Sequence, residues 1–474
     1  MQEARDKLGQ DPNVRTVRRM LRQRVATMAG PQLDLDLSLA FAGRKEDLLR
    51  SIRLFVDAAS TRGVDRTSTG TANVIYLALL LERLGLRREA HDGEDTLLAV
   101  EEPEAHLHPT LQRHVFAHLL GQPDRLVLTT HSPHIAAVSP LSSVVLVSEA
   151  GGSSEARVVP PGLLSEREIA DLERYLNVTR AEILFARRVV LVEGAAESYL
   201  LPALATAVGF DLDGYGIVVA SVDGTDFVPY ARLLGPTALN RPFVVLTDGD
   251  VAEGGTASRA EPGMWRAASL LRIKSSPRHK AFKEQLQTVA STEWADGDPR
   301  PGRDELVQDA ADERIYVGLH TLEVDITPLF AQEMTTSFNE LAPGPRGQQA
   351  FAAAVTNAAT SPPTEEVRTA LLSRIERIGK GRYAQRLAAR VAMADLRERI
   401  TGMLSIEDDA SIDREDLLNI EGCGPLLVLL HDLRQAVEGL PLLPTAEQYE
   451  QWAAAKDDDD ITEGATGNDA TQAS

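Results

Sequence analysis

The chain has 474 residues, with 49 Lys+Arg against 70 Asp+Glu and hence a formal net charge of −21; 43% of it is hydrophobic. That is the composition of a globular protein of two or three domains, and the single cysteine, Cys423, excludes a disulfide framework or a zinc site built on several thiolates. No apolar run approaches the ~20 residues of a membrane span and no signal-peptide core opens the chain, so a cytoplasmic location is expected. The negative charge argues against nucleic-acid binding by bulk electrostatics, though not against binding through divalent ions and a local basic patch.

In chain order, Asn13–Met28 places Val14, Val17, Leu21, Val25 and Met28 on one helical face. LDLDLSLAF (Leu33–Phe41) alternates as a half-buried strand, and helices are expected at about Glu46–Ala58 and Thr71–Leu84. Strand and helix signals then alternate: strand Thr96–Glu101, a helix after Pro109, strand Arg125–Thr130, strand Ser143–Ser148, and a loop or hairpin tip at Gly151–Ala156. A second alternation follows, with strand Val189–Gly194, helix Ala196–Val208, strand Gly216–Ser221, helix Asp226–Leu234 and strand Pro242–Asp250. Apolar strands alternating with helices imply a parallel sheet covered on both faces. Asp248 to about Gly302 reads as irregular and Gly/Pro-punctuated, and the chain beyond about Arg346 as mostly helical. From Glu447 onward there are eight acids and one lysine, the composition of a solvated disordered tail.

Thr96–Pro109, TLLAVEEPEAHLHP, is an apolar strand ending in two carboxylates, the Walker B arrangement. Glu101 would help hold Mg²⁺ and Glu102 would orient or deprotonate an attacking water. A second strand ends in TTHSPH, where His131 could contact a γ-phosphate. Upstream, Ser68 and Gly70 precede an apolar helix, whose N-terminus would form an anion site. His106, His108, His131 and His134 are an alternative, weaker set of metal ligands, without cysteines or a clear third ligand.

A second constellation lies at three strand ends. Glu193 closes VVLVEG, with Glu197 one helical turn on, and Asp248 and Asp250 close VVLTDGD, where Gly249 would let both carboxylates turn toward one pocket. In a parallel sheet all four acids emerge at the carboxyl edge. Clustered carboxylates repel unless a cation neutralises them. Hard oxygen donors select Mg²⁺ or Mn²⁺, and two such ions could support phosphodiester cleavage.

The order Ser68-x-Gly70, acid pair, EAHLHP, then histidine resembles the ATP-binding-cassette ATPases of the SMC/RecF/OLD group, and EEPEAHLHP…TTHSPH looks most like the OLD (overcoming lysogenization defect) family. Glu193-Gly194-x-x-Glu197 followed by Asp248-x-Asp250 resembles the Toprim domain of primases, topoisomerases and OLD nucleases, over roughly Arg187–Phe330. Two further segments resemble OLD-type nucleases: TLEVDI, whose Glu323 and Asp325 would be candidate ligands for a second metal, and IGKGRYAQRLA, whose Lys380 would stabilise phosphate charge or help position the nucleophile. The antiphage Gabija nuclease has the same order of parts.

The resemblance implies an α/β architecture. Residues 1–160 would be the C-terminal part of an ATPase domain, 161–186 linker helices, 187–400 a Toprim domain with a helical extension, 401–455 C-terminal helices and 456–474 a disordered acidic tail. No G-x-x-x-x-G-K-[ST] occurs in the chain. The phosphate loop is therefore expected upstream of Met1 or from a partner, and ATP binding only with that loop supplied. The resemblance further implies a homodimer, DNA as substrate and no membrane. In this reading Glu193, Asp248 and Asp250 hold Mg²⁺ or Mn²⁺, Glu197 assists or acts as base, Glu323 and Asp325 complete a second position, and Lys380 contributes charge. Arg187, Arg188, Lys274, Arg278, Lys280 and Arg382 are candidate DNA contacts. A type IA topoisomerase would need a nucleophilic tyrosine in large flanking domains, and a primase zinc and nucleotide-handling elements. The alternative of another class is a non-catalytic SMC/RecF-like DNA-binding or regulatory fragment.

Overall fold

The computed structural model describes residues 11–29, 37–41, 52–57, 62–89, 97–121, 125–150, 152–176, 180–250, 261–291, 301–342, 344–360 and 363–455. The expected acidic tail, 456–474, lies outside them, as do Leu33–Asp36 of the first expected strand. The chain forms two compact units, 1–185 and 186–474.

In the first unit, α1 (Pro12–Ala29) turns Leu21, Val25 and Met28 into the core. Next, β1 (Ser38–Phe41) pairs antiparallel with β2 (Ile52–Phe55), Ser38 opposite Phe55 and Phe41 opposite Ile52. The helix expected over Glu46–Ala58 is thus corrected to a strand at 52–55. β-branched and aromatic residues flanking an unpaired amphipathic strand gain more by completing its ladder than by helical spacing. Helix α2 (Thr69–Glu89) leads to β3 (Leu97–Glu101), α3 (Pro109–Leu120) and β4 (Arg125–Thr129), a β-α-β unit with β3 and β4 parallel and Glu101 opposite Thr129. Leu98, Val100, Leu126 and Leu128 pack on the core from one sheet face. A single helical turn, α4 (Pro133–Ala136), follows, and β5 (Val145–Ala150) and β6 (Ser153–Val158) form a hairpin at the expected place. Helix α5 (Glu166–Tyr175) begins with a Ser165–Glu168 capping box.

The second unit is built on a four-stranded, all-parallel sheet in the order β10-β9-β7-β8. Its parts are β7 (Arg188–Val192), α6 (Ala195–Ala207), β8 (Ile217–Ser221), α7 (Val228–Leu234), β9 (Phe243–Thr247), α8 (Pro262–Ile273), α9 (His279–Ser291), α10 (Arg303–Asp312) and β10 (Ile315–Val317). Val189–Val192 are wholly buried, as a strand covered on both faces requires. The irregular stretch expected over Asp248–Gly302 is corrected by α8 and α9. Pro262 stands at the first helical position, where proline starts a helix rather than breaking one, and Met264, Ala267, Ala268 and Leu271 then bury one face.

Beyond the sheet come the single turn α11 (Leu322–Asp325), then α12 (Thr327–Leu341), α13 (Pro345–Thr360), α14 (Glu365–Ile378), α15 (Lys380–Val391), α16 (Leu396–Leu404), α17 (Arg414–Leu418) and α18 (Gly424–Glu438), the helical region expected after Arg346. Helix α15 packs along α6. Helix α18 buries Leu426–Leu430 around its circumference. It is locked to the sheet by Asp432, which accepts from Tyr316 Oη at 2.7 Å and pairs with Arg314 at 2.8 Å and Arg414 at 3.1 Å. Among the described residues no helix is long and apolar enough to cross a membrane.

Candidate active site at the carboxyl edge of the parallel sheet

Parallel strands deliver whatever follows them to one edge. After β7 comes Glu193, whose Oε1 accepts the Asp248 N–H at 2.9 Å and the Thr247 hydroxyl. Gly194 opens α6, and its N–H is held at 3.0 Å by Glu197 Oε2 from the first turn of that helix. After β9 comes Asp248, whose Oδ1 accepts the Leu322 N–H at 3.0 Å. The sequence thus brings Glu193, Glu197, Asp248, Asp250 and Glu323 to one neighbourhood through three strand ends and one helical turn.

Gly249 serves a different purpose from the one expected. It is Asp250 that takes the left-handed conformation, at φ 50°. A Cβ at position 249 would lie 2.2 Å from the carbonyl oxygens of both Gly318 and Leu319, so glycine is required there by close approach. The Gly249 N–H donates to His320 O at 2.9 Å, and Gly263, at the start of α8, donates to Gly249 O at 3.0 Å. Asp325 holds the 318–320 loop in turn, accepting the N–H groups of Leu319 and His320 at 2.9 Å each. Its carboxylate is therefore committed to backbone donors. Burial raises its pKa to about 8, offset by those two hydrogen bonds.

Charge is densest around Asp248. Burial, then Glu193, Glu197, Glu323 and Asp250, hold its carboxyl well above the usual carboxylate range. Burial raises Glu193 and Glu197 as well, opposed by Arg266 for Glu193 and reinforced by Glu323 for Glu197. Glu323 is fully buried and neither of its oxygens has a hydrogen bond of good geometry. Lys380, the first residue of α15, brings Nζ to 3.2 Å from Glu323 Oε1. Burial opposes the lysine's charge, but Glu323, Glu197 and Asp248 outweigh it and raise its pKa.

Arg266 has no motif to announce it, yet it sits at the centre of the acids. From α8 it reaches Glu193 Oε1 at 3.1 Å, Asp250 Oδ2 at 2.9 Å, Thr247 Oγ1 at 2.7 Å and the Asp248 carbonyl. Among the described residues no three His, Cys, Asp or Glu side chains are arranged to hold a metal ion, and this includes His106, His108, His131 and His134. The donor set at the sheet edge nevertheless suits a hard cation: it is all oxygen, without sulfur, and it includes the buried Glu323 carboxylate, whose Oε2 has no hydrogen-bond partner.

The basic residues expected to touch DNA fare unevenly. Lys274 is committed to the Glu313 carbonyl at 2.5 Å, and burial lowers its pKa to about 8. Arg278 pairs with Asp309 and Asp312, Lys280 with Glu284, and Arg188 reaches the Ala436 carbonyl. Arg187 lies against Gly216. Arg382 is exposed. A cavity of about 720 Å³ is instead lined by Arg346, Arg374 and Arg377 with Phe338, Ala342 and Ile378, and Arg377 lies only three residues before Lys380.

In the first unit, Glu101 and Glu102 close β3, with Glu102 at φ 40°. Its Oε1 is 3.6 Å from His131 Nε2, and both side chains are exposed. Ser68 Oγ accepts the Thr71 N–H at 3.2 Å at the start of α2, and a Cβ on Gly70 would meet His106 O at 2.5 Å. The residue missed here is Glu104: its Oε1 accepts the Thr130 hydroxyl at 2.7 Å and the His131 N–H at 3.0 Å, tying the histidine loop to the acid-pair turn.

A β-α-β unit with paired acids and a histidine, and a parallel sheet with acids at its carboxyl edge, define the class: an ATPase-type domain together with a Toprim domain. Residues 45–136 match the AAA ATPase domain model, and residues 184–250 match the model described as overcoming lysogenization defect protein-like, TOPRIM domain. The chain is a relative of the OLD family and carries an OLD-like Toprim domain. It is 32% identical over 196 residues to the uncharacterized protein YbjD of Escherichia coli (40% of this chain, 35% of that protein) and 29% identical over 210 residues to the OLD nuclease of Thermus scotoductus (42% and 37%). The match thus spans little more than a third of either relative. The C-terminal region of the Burkholderia pseudomallei OLD protein is 31% identical, covering 44% of this chain and 92% of that one with a TM-score of 0.34.

Proposed function

We propose that this chain is an OLD-like Toprim endonuclease that hydrolyses DNA phosphodiester bonds with Mg²⁺ or Mn²⁺. The observation that carries the reading is the gathering of Glu193, Asp248, Asp250, Glu197 and Glu323 at one sheet edge, with Lys380 against Glu323. Bound divalent ions would supply charge neutralisation at the phosphate and an acidified water. Glu193, Asp248 and Asp250 would hold one ion, and Glu197 and Glu323 a second. Asp325 acts on the site through the 318–320 loop. Lys380 offers a cation to the phosphate from the rim. The cavity lined by Arg346, Arg374 and Arg377 gives the DNA backbone a basic seat on an acidic chain. In the first unit, Glu101, Glu102 and His131 with Ser68 and Gly70 would contribute part of a nucleotide site that regulates cleavage, the phosphate loop coming from elsewhere.

The test is supercoiled plasmid incubated with the purified chain and Mg²⁺ or Mn²⁺. Nicked or linear product is expected, and Glu193→Ala should reduce its rate at least ~100-fold, the scale seen when metal affinity or activation is lost. Unchanged nicking in that variant removes Glu193 from the mechanism. Relaxed, religated circles would mean a topoisomerase, and no change in the plasmid would favour the non-catalytic reading.

A further inference from the structure

One nitrogen of Arg266 is surrounded as an ion would be. Nη2 has Glu193 Oε1 at 3.1 Å, Asp250 Oδ2 at 2.9 Å and the Asp248 carbonyl oxygen around it, while Nε donates to Thr247 Oγ1 at 2.7 Å. The side chain is only 16% exposed. We infer that Arg266 is a tethered counter-ion that holds this oxygen triad together without metal, and that a divalent cation enters the triad only by displacing it.

The argument is one of charge and space. Two carboxylates drawn onto one point repel each other unless a cation lies between them, and here the cation is part of the chain. A divalent ion would draw the same oxygens in to about 2.0–2.6 Å. A guanidinium nitrogen and a metal ion cannot both sit at the centre, nor do two like charges tolerate that separation. The exchange falls to the side chain, because the helix that carries it is pinned: Gly263 donates to Gly249 O at 3.0 Å, and a Cβ on Gly263 would meet Asp248 O at 2.4 Å. The neighbouring carboxylates have a tethered cation of their own, Lys380 on Glu323 at 3.2 Å. The edge is therefore preorganised as a set of oxygens with resident cations, and metal binding is an ion exchange.

This inference rests on the metal-dependent reading of the site, but its test needs no DNA. The full chain, stripped with EDTA, is titrated with Mn²⁺ and free Mn²⁺ is followed by electron paramagnetic resonance. Arg266→Met should bind Mn²⁺ at least about tenfold more tightly than the natural chain, a gap well within reach of one displaced ion pair, and should melt at a lower temperature in EDTA. Arg266→Lys, which keeps a cation but not the forked donors, should fall between them and decides the matter if the methionine variant does not fold. In Arg266→Ala, which leaves room for a small cation, millimolar guanidinium chloride should compete with Mn²⁺, and in the natural chain it should not. Equal or weaker Mn²⁺ binding in both the Met and Lys variants, indifference of the Ala variant to guanidinium, or no Mn²⁺ binding by any of these chains would overturn the inference. A chain that shows this exchange yet leaves plasmid intact would sink the nuclease reading alone.

Discussion

Replacing Asp248 by Asn should make the metal-free protein more stable while weakening its response to metal. Asp248 is largely withdrawn from solvent with four other carboxylates acting on it, from Glu193, Glu197, Glu323 and Asp250, and the hydrogen bond it accepts from the Leu322 N–H at 3.0 Å can be kept by the Asn side-chain oxygen. The substitution removes repulsion and leaves shape and hydrogen bond intact. Each pH unit by which a folded-state carboxyl sits above its unfolded value corresponds to about 1.4 kcal/mol. Relaxation of the other acids absorbs part of this, so a net gain of about 1–3 kcal/mol at pH 8 is expected. The sign follows from proton counting. A raised folded-state pKa means that the native chain binds more protons than the unfolded chain above the unfolded value near 4, so stability falls as pH rises from there. Urea denaturation in EDTA at several pH values should show the natural chain losing stability toward pH 8 and Asp248→Asn losing less, while added Mn²⁺ should stabilise the natural chain more. An Asn variant less stable than the natural chain at pH 8 in EDTA would refute the claim that this edge is assembled against its own repulsion.

Two further expectations concern basic residues. Changing Arg346 and Arg377 together to Gln should weaken DNA binding measured by fluorescence anisotropy in Ca²⁺ and lower the salt dependence by about two counterions, while leaving thermal stability near that of the natural chain; an unchanged salt slope would remove the cavity from the DNA path. Lys274, lowered to about 8 by burial, titrates below its unfolded value of 10.5. The unfolded chain then binds more protons between those values, so this residue's contribution rises with pH, by at most about 3 kcal/mol; Lys274→Met, compared with the natural chain at pH 7 and pH 10, should lose that difference.

The acids at the sheet edge were legible because each follows an apolar strand, and a parallel sheet sends every strand end to the same side. Lys380 was legible only through its neighbours' resemblance to a known segment. Arg266 and Glu104 were not, for a shared reason: their partners lie in other strand ends or loops, and no local period or motif encodes such a meeting. The Asp248–Gly302 stretch misled because Gly263 and Pro262 read as breakers, whereas the proline starts α8 and the glycine lets that helix touch the Asp248 carbonyl. Glu46–Ala58 misled through helical spacing over residues that a neighbouring strand recruits at 52–55. Asp325 shows the limit of reading ligands from residue type, since a carboxylate near a site can instead serve the loop that shapes it.

The bond between Tyr316 and Asp432 joins residues 116 positions apart, and Asp325 is pressed at its backbone by Gly422, whose Cβ would lie 2.8 Å from the Asp325 carbonyl oxygen. A ribosome emits Glu193 and Asp248 long before either clasp exists. Contacts so distant along the chain close late, so the loop that braces the acids sets only once Gly422 and Asp432 have emerged. A nascent chain stalled before Gly422 would carry every acid of the edge and lack the contact that backs Asp325.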